Sequence, residues 1–345
     1  MKYTTLPDTD IKVSKICLGT MTWGQQNTEE DGHRQLEYAI EQGINFIDTA
    51  ELYSVPAKAE TQGSTERIIG TWLNKRGKRD DLVIASKIAG PAEMTKHIRT
   101  GGYAPHEIND AIDKSLKRLQ TDYIDLYQLH WPERNSNFFG QLGYTHDDSE
   151  QWQDNFQQVL ETLQGAIQAG KIRHVGLSNE TPYGLFRFLE ESRKNNLPKM
   201  RTVQNPYNLL NRKDEVGLSE IYHRENVGLL AYSPLGFGTL AGKYLDGKKP
   251  ANSRVTLFPQ YTRYHSEPSF EATRRYRDIA QRHGLNFAQM SLAFVTGRPF
   301  ITANIIGATT MEQLKENIAS IDVNLDKEVL EEIEAVHKKI PNPAP

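Results

Sequence analysis

The sequence predicts an α/β protein folded as a (β/α)8 TIM barrel, with an N-terminal β-hairpin and long loops at the C-terminal face. Short apolar runs alternate with amphipathic helical patterns, and this alternation repeats eight times. Regular strand–helix alternation favours a parallel sheet with helices outside it, and eight units favour closure into a barrel. Because no linker or low-complexity tract interrupts the pattern, we expect a single domain spanning residues 1–345.

The eight predicted units follow one another along the chain. Strands are expected at Ile16–Gly19, Asn45–Thr49, Leu82–Lys87, Ile124–His130, Ile172–Leu177, Thr202–Gln204, Val227–Tyr232 and Asn304–Ile306. Helices are expected at Glu30–Gln42, Thr65–Lys75, Pro105–Leu119, Asp154–Ala169, Pro182–Asn195, Asp214–Arg224, Ser269–His283 and Met311–Ile321. Spacing supports these helices: in the third, Ile108, Ile112 and Leu119 fall on one face. Gly43 is suited to end the first helix.

Four further segments complete the predicted architecture. Lys2–Val13 contains a turn-like Pro7-Asp8-Thr9-Asp10 between two extended pieces, which indicates a hairpin at the N-terminal end of the barrel. Lys327–Lys339 predicts an additional helix. The segments Trp131–Gln151 and Leu235–Pro268 exceed the usual loop length and follow strands. They are therefore expected at the C-terminal face, where barrel active sites lie.

Composition narrows the possible function classes. Lys+Arg is 41 and Asp+Glu is 44, a net charge of −3, which offers no electrostatic footprint for nucleic acid. No apolar run reaches the length of about 20 residues that a spanning helix needs, and the N-terminus lacks a hydrophobic signal core. Cys17 is the single cysteine, which excludes an internal disulfide and a Cys-rich zinc site. We expect a cytoplasmic protein without a nucleic-acid or membrane partner, and the sequence leaves its oligomeric state open.

Four ionisable residues follow or end three consecutive predicted strands. Asp48, Lys87 and His130 stand at strand ends, and Tyr53 follows Asp48 by five residues. Strand ends of a parallel barrel converge on one mouth, so the four side chains are candidate catalytic groups. Each could also be an ordinary rim residue in a buried ion pair, since such pairs also perturb pKa values. Their occurrence together favours chemistry.

A tyrosine beside a lysine has a specific chemical use. A free phenol has a pKa near about 10, and a nearby cation favours the phenolate. Tyr53 could then donate a proton near neutral pH and accept one in the reverse direction. Asp48 would hold Lys87 charged and oriented. His130 could hydrogen-bond a carbonyl oxygen or polarise Tyr53.

The pattern Asn45–Tyr53, together with Lys87 and His130, resembles the aldo-keto reductase family. Similar segments continue along the chain at Val175–Asn179, Gln204–Tyr207, Ala231–Gly236 and Ile306–Ala308. Gly19–Asn27 and the loop around Asn137–Tyr144 are most similar to one bacterial branch of that family.

The resemblance implies an NADP(H)-dependent enzyme that reduces a small-molecule aldehyde or ketone to an alcohol by transfer of a hydride from nicotinamide C4. Tyr53 would be the general acid/base, Asp48 and Lys87 would tune it, and His130 would position the carbonyl. Such chemistry needs no metal. Substrate contacts are expected from Trp23, Tyr53, His130, Trp131 and a loop with Phe138, Phe139 and Tyr144. These aromatic loop residues could equally form a lid packed on the barrel mouth.

Polar groups at later strand ends are candidate cofactor ligands. Ser178, Asn179 and Gln204 could hold a carboxamide by hydrogen bonds, and Tyr232 could stack on the nicotinamide. Ser178-Asn179 could also be a helix N-cap before Pro182. The full expected set is Gly19, Thr20, Met21, Asp48, Ser178, Asn179, Gln204, Tyr232, Ser233, Pro234, Leu235, Gly236, Gly238, Lys243, Arg254, Gly307, Thr309, Gln313, Glu316 and Asn317.

Two of these segments are expected to bind phosphate groups of the cofactor. Backbone N–H groups of the glycine-rich loop 236–242, with Lys243 and Arg254, would hold the pyrophosphate, although the loop could also be a lid or a surface turn. The helix that begins near Met311 presents an N-terminus suited to a 2′-phosphate. Gln313 stands where many related animal enzymes carry a basic residue, so NADP is favoured over NAD only in part.

Two other functions remain possible. The chain could be a nicotinamide-binding regulatory or redox-sensing subunit with little turnover. An unrelated barrel hydrolase or isomerase would need carboxylate pairs or phosphate loops at other strand ends, and none is found. His146-Asp147-Asp148 is interpreted as a solvated loop, because no further ligand is positioned near it.

Overall fold

Eight parallel strands close into a barrel, which confirms the predicted (β/α)8 fold. The structure is a computed structural model that describes residues 1–345. The strands are β1 (Tyr3–Thr5), β2 (Lys12–Ser14), β3 (Ile16–Gly19), β4 (Phe46–Asp48), β5 (Val83–Ile88), β6 (Ile124–Leu129), β7 (Ile172–Ser178), β8 (Met200–Pro206), β9 (Gly228–Tyr232) and β10 (Ile301–Ile306). The barrel runs in the order β10-β3-β4-β5-β6-β7-β8-β9.

Helices surround this barrel. They are α1 (Glu29–Glu41), α2 (Ser64–Arg76), α3 (Pro105–Leu119), α4 (Phe156–Gln168), α5 (Pro182–Asn195), α6 (Asp214–Arg224), α7 (Arg254–Leu257), α8 (Glu267–Arg282), α9 (Phe287–Thr296), α10 (Met311–Ala319) and α11 (Lys327–Lys339). Local signals set their ends: Thr28 and Asp31 form a capping box at α1, and Gln120 ends α3 in the left-handed region. No helix combines the length and apolar character needed to cross a membrane.

The predicted hairpin is present. Strands β1 and β2 pair antiparallel, with Tyr3 opposite Ser14. The buried side chains of Leu6, Ile11 and Val13 pack with apolar barrel residues that include Phe46 and Leu230. The hairpin therefore covers one end of the barrel and leaves the end at which the strands finish for the site.

Helix α9 is absent from the sequence-based prediction. Most of its ten residues are buried, so its sequence lacks the polar stripe that marks a surface helix. Asn286 caps it by accepting a hydrogen bond from the backbone N–H of Gln289 at 3.0 Å. The neighbouring strand β10 also begins at Ile301 rather than at the predicted Asn304.

The barrel closes between its first and last strands. Ile16 of β3 lies beside Asn304 of β10. At Gly19 a Cβ atom would lie 2.7 Å from Ile305 Cγ2 and 3.0 Å from the Ile306 carbonyl oxygen. Glycine thus permits the close approach that seals the barrel where the strands end. Across the same seam, Asn27 Nδ2 donates to the Thr309 carbonyl oxygen at 3.0 Å.

Candidate active site

The structure brings the four predicted catalytic residues together. Lys87 Nζ lies 2.7 Å from Asp48 Oδ2, and Lys87 lies 3.3 Å from the Tyr53 hydroxyl. Lys87 also donates to the carbonyl oxygen of Thr49 at 2.8 Å. The Tyr53 and His130 rings meet edge to face at 5.7 Å between centroids. All four side chains are buried, so water does not screen their interactions strongly.

Asp48 has amide partners as well as Lys87. Gln204 Nε2 donates to Asp48 Oδ1 at 2.7 Å, and Gln128 Nε2 lies 3.4 Å from the same oxygen. Gln128 is fully buried within β6, and the sequence analysis missed its role. The available signal was a polar residue between Tyr127 and Leu129 in an otherwise apolar strand. These contacts satisfy the carboxylate that faces Lys87.

The charges at this cluster differ from the expectation at one point. Burial raises the pKa of Tyr53 above its ordinary value, and the attraction of Lys87 for a phenolate only partly offsets burial. Burial opposes the charge on Lys87, but Asp48 and Tyr53 outweigh it and raise the pKa of Lys87. Lys87 favours the phenolate as expected, but in the protein alone burial outweighs this effect. Tyr53 is a neutral phenol beside a firmly charged ammonium.

His130 is neutral. Burial, with a smaller contribution from Lys87, places the pKa of His130 well below its usual range. Its Nδ1 atom is buried without a hydrogen-bond partner. Neutral imidazole can donate one hydrogen bond to a bound group without carrying a charge.

A cavity of about 830 Å³ opens beside these residues. It is lined by Tyr53, His130, Trp131 and all the predicted cofactor residues except one: Gly19, Thr20, Met21, Asp48, Ser178, Asn179, Gln204, Tyr232, Ser233, Pro234, Leu235, Gly238, Lys243, Arg254, Gly307, Thr309, Gln313, Glu316 and Asn317. The exception is Gly236, which lies against the Tyr264 ring. Lys87 lies behind Tyr53 and does not line the cavity.

Trp23 is not at the cavity, contrary to the expectation of a substrate contact. Its side chain is fully buried, and its indole N–H donates to Gln35 Oε1 at 3.1 Å. A Cβ atom at Gly32 would lie 3.1 Å from the indole ring, so the ring packs tightly against α1. Packing in the core explains the position of Trp23. Its indole buries a large apolar area, and its N–H has the hydrogen-bond partner that a buried indole needs.

The aromatic loop contributes unequally. Phe139 lines the cavity and contacts Trp131 with a centroid distance of 5.5 Å. Phe138 packs on Phe139 and does not line the cavity. Tyr144 is exposed and pairs with His146 at 3.1 Å, so it is a surface residue.

Hydrogen bonds fix the polar strand ends. Ser178 Oγ donates to the Gln204 carbonyl oxygen at 2.8 Å, and Asn179 Nδ2 donates to the His130 carbonyl oxygen at 2.9 Å. The Tyr232 hydroxyl donates to Asn179 Oδ1 at 2.6 Å. The alternative that Ser178-Asn179 caps α5 is wrong, because Thr181 is the N-cap.

Two half-buried cations also line the cavity. Burial lowers the pKa of both Lys243 and Arg254. Glu316 is the carboxylate that partly opposes this effect at Lys243, whereas Arg254 lies over the Phe237 ring at 5.1 Å and has tyrosines rather than a carboxylate near it. Cations without close carboxylate partners favour an anionic ligand. The loop around Gly238 therefore suits a phosphate group.

The segment before α10 is ordered by its own side chains. Gln313 Oε1 accepts from the backbone N–H of Thr309 at 3.1 Å, and Asn317 Nδ2 donates to the Gly307 carbonyl oxygen at 3.1 Å. Thr310 caps the helix. These contacts hold the helix N-terminus open to the cavity.

The residues with metal-ligand geometry lie elsewhere. Ligand atoms of His283, Glu328 and Glu332 approach one another within 4.8 Å at the surface between α8 and α11. Arg282 also pairs with Glu332, which opposes cation binding there. His146 and Asp148 are exposed and lie 3.2 Å apart, with no third ligand group near them.

Part of the cavity wall was not predicted from the sequence. Leu52, Val55, Ala57 and Met94 form an apolar side, and Arg263 lies on the opposite loop. The loop lengths predicted that residues 235–268 would face the site, but no local pattern distinguished Arg263 from the other arginines of the chain.

Comparison with known proteins agrees with this arrangement. The family model described as the Aldo/keto reductase family matches residues 15–338. The chain is 52% identical to protein tas of Escherichia coli over the full length of both chains. It is 32% identical to the uncharacterized oxidoreductase YrpG of Bacillus subtilis over 96% of this chain and 94% of the relative. An aldo-keto reductase of Babesia bovis is 40% identical over 69% of this chain and 88% of its own. The extent of these matches, over a barrel with this site, places the chain in the aldo/keto reductase family of oxidoreductases.

Proposed function

We propose that the protein is an NADP(H)-dependent reductase of aldehydes and ketones, with Tyr53 as the general acid/base. The observation that carries the proposal is the Lys87 ammonium held between Asp48 and the Tyr53 hydroxyl. This arrangement suits a phenol that must release a proton and take it back. Membership of an oxidoreductase family supports the same reading.

The residues of the cavity fit a nicotinamide dinucleotide. Lys243 and Arg254 provide positive charge for phosphates, and the polar side chains of Ser178, Asn179 and Gln204 provide donors and acceptors for a carboxamide. Tyr232 offers an aromatic face. Gln313 and Asn317 at α10 would serve the adenosine end, where a helix N-terminus favours an added phosphate. When bound, the cofactor supplies a hydride.

Tyr53 and His130 would act on the carbonyl oxygen. Tyr53 donates a hydrogen bond to that oxygen and transfers its proton as negative charge develops there. Neutral His130 donates a second hydrogen bond and fixes the direction of the carbonyl. Lys87 stabilises the phenolate that remains on Tyr53, since the ammonium is only 3.3 Å away. Asp48 keeps Lys87 charged while this occurs.

Burial of Tyr53 has a defined role in this mechanism. A neutral phenol is the form needed to begin reduction, and burial keeps it protonated. Lys87 becomes important only as the proton leaves, because its attraction acts on the phenolate. The cation therefore lowers the barrier without removing the acid beforehand.

The experiment is NADPH oxidation with a panel of aldehydes, comparing the parent protein with Tyr53→Phe. We expect kcat to fall by about 10²–10⁴-fold, the contribution typical of a positioned general acid, with the NADPH dissociation constant unchanged. Tyr183→Phe is the matched control, since Tyr183 is exposed on α5. Equal turnover by parent and Tyr53→Phe would refute the mechanism.

Cofactor choice is tested by binding. We expect NADPH to bind more tightly than NADH, and Lys243→Gln and Arg254→Gln to weaken both. Tight NADPH binding combined with negligible turnover of every aldehyde would instead support a regulatory or redox-sensing subunit.

A further inference from the structure

Arg263 lies at the mouth of the cavity, between the two long loops. Its guanidinium carbon is 6.0 Å from the centroid of the Phe139 ring. A Cβ atom at Gly140 would lie 3.2 Å from Arg263 Nε, and Gly140 has a φ of +95°. Glycine therefore lets loop 131–151 lie directly against the guanidinium. Arg263 joins this loop to the segment between β9 and α8.

No Asp or Glu side chain pairs with this guanidinium. The nearby hydroxyls of Tyr232 and Tyr264 raise the pKa of Arg263 despite its burial. Arg212, a buried arginine elsewhere in the chain, instead pairs with Glu215 and Glu334. A half-buried cation without a paired carboxylate is costly unless a ligand supplies one. A guanidinium offers five N–H donors, and Arg263 lines the cavity.

Two chains of contacts connect Arg263 to His130. On one side Tyr232 lies near Arg263, the Tyr232 hydroxyl donates to Asn179 Oδ1, and Asn179 donates to the carbonyl oxygen of His130. On the other side Phe139 packs on Trp131, and the Trp131 ring lies 4.9 Å from that of His130. Arg263 and the Tyr53–His130 pair line the same cavity.

Apart from Lys243 and Arg254, which are assigned to the cofactor phosphates, the cavity wall around the reacting groups is largely apolar or uncharged. Leu52, Val55, Ala57 and Met94 line it, while Tyr53 and His130 are neutral and Asp48 is paired with Lys87. A ligand complementary to this surface has an apolar frame with one negative charge distant from the carbonyl.

We propose that Arg263 binds a carboxylate of the substrate, so that the preferred substrates are aldehydes or ketones that carry a carboxylate on an apolar frame. This inference rests on the proposed reductase function and specifies its substrate class. A carboxylate fits a guanidinium fork with two parallel, charge-assisted hydrogen bonds. Arg263 orients the far end of the substrate while Tyr53 and His130 hold the carbonyl oxygen.

The test compares 4-carboxybenzaldehyde with 4-nitrobenzaldehyde, a neutral analogue of similar shape, in the parent and in Arg263→Gln. The kcat/KM of each variant is divided by that of the parent for the same aldehyde, so that differences in the intrinsic reactivity of the aldehydes cancel. We expect Arg263→Gln to lower kcat/KM for 4-carboxybenzaldehyde by about 10–100-fold, the loss typical of a hydrogen-bonded charge pair. The ratio for 4-nitrobenzaldehyde should stay near one. Arg263→Lys should retain part of the preference, because it keeps the charge without the fork.

Arg275→Gln is the matched control, since Arg275 is an exposed arginine on α8 that pairs with Glu271. An equal loss on both aldehydes in Arg263→Gln, accompanied by weaker NADPH binding, would show that Arg263 supports Tyr232 and would overturn the proposal. An unchanged ratio on both aldehydes would overturn it as well.

A binding measurement separates this inference from the reductase mechanism. Calorimetric titration of the NADP-loaded protein with 4-carboxybenzyl alcohol and with benzyl alcohol requires no turnover. Tighter binding of the carboxylated alcohol, lost in Arg263→Gln, supports the anion site even if no aldehyde is reduced. Equal binding of both alcohols by the parent refutes the anion site even if neutral aldehydes are reduced well.

Discussion

The Lys87 ammonium lies 3.3 Å from the Tyr53 hydroxyl, yet Tyr53 remains protonated. Burial raises the pKa of the phenol more than the ammonium lowers it. In the proposed mechanism the two opposing effects have different roles: burial keeps Tyr53 protonated, and Lys87 stabilises the phenolate that forms when the proton leaves.

Lys87→Met should move the pH dependence of alcohol oxidation to higher pH. Oxidation needs the Tyr53 phenolate, and removal of the cation raises the pKa of Tyr53 further. We expect a displacement of about 1–3 pH units, the range typical of losing an opposite charge at close range. Reduction near neutral pH keeps its protonated donor but loses rate, because the phenolate product is less stable. Steady-state rates in both directions, from about pH 6 to about pH 10.5, measure this.

Lys87→Arg is the control for that experiment, since it restores a positive charge. Circular dichroism must show that the Met variant folds, because Asp48 then lacks its counter-ion. Superimposable pH profiles for parent and Lys87→Met would contradict the assignment.

His130 should add no titration step to the reduction rate between about pH 5.5 and about pH 7.5, because its pKa lies well below its usual value near about 6.5. His130→Phe should lower kcat by about 10²-fold, the cost typical of one lost donor to a developing oxyanion. The shape of its pH profile should match that of the parent. An acid limb near the usual histidine pKa that disappears in His130→Phe would show that the imidazole is charged.

Trp23→Phe should destabilise the protein without changing substrate KM. The indole is fully buried, and Phe leaves Gln35 Oε1 without its donor. We expect a loss of about 1–3 kcal/mol in the free energy of unfolding, measured by urea denaturation. Trp131→Phe provides the comparison, because Trp131 lines the cavity and should change KM. A KM change in Trp23→Phe at unchanged stability would restore the sequence-based assignment.

Asp214 should make stability depend on pH in the acid range. Burial raises its pKa from 3.8 to about 6, against hydrogen bonds from Tyr222 and Asn205. A raised carboxyl pKa means that the folded state binds the proton more tightly, so this contribution is present below pH 4 and is lost as the pH rises through about 6. The loss amounts to roughly 3 kcal/mol by linkage.

Asp214→Asn should remove that dependence, because a neutral amide needs no proton. Urea unfolding of both proteins between about pH 4.5 and about pH 7.5 measures the difference, with the exposed Asp278→Asn as control. A parallel pH dependence in parent and Asp214→Asn would show that other groups cause it.

Periodicity predicted the fold because most elements lie at the surface of the barrel. Helices α3, α5, α6 and α11 begin and end at the predicted residues, since each carries one apolar face. Helix α9 was missed because burial on nearly every side leaves no periodic contrast. The spacing of apolar residues therefore predicts helices and strands that are exposed to water on one side only.

The candidate site was predictable where it depends on strand ends. Asp48, Lys87 and His130 end successive strands, and barrel geometry then brings them together. Trp23 was misplaced because an aromatic residue after a strand looks the same whether it faces the mouth or an adjacent helix. The motif showed that a cation would lie near Tyr53, but the burial that raises the pKa of Tyr53 depends on the assembled barrel.

The seam between β3 and β10 has a consequence for biosynthesis. Asn27 and Thr309, which meet there, are 282 residues apart in sequence. A nascent chain that has displayed every catalytic-type residue through His130 still has an open sheet, because the strand that closes it is translated near the end. Gly19 and Gly307, which border the same cavity, become neighbours only then. A truncated translation product would accordingly carry Tyr53 and Lys87 but lack a completed pocket.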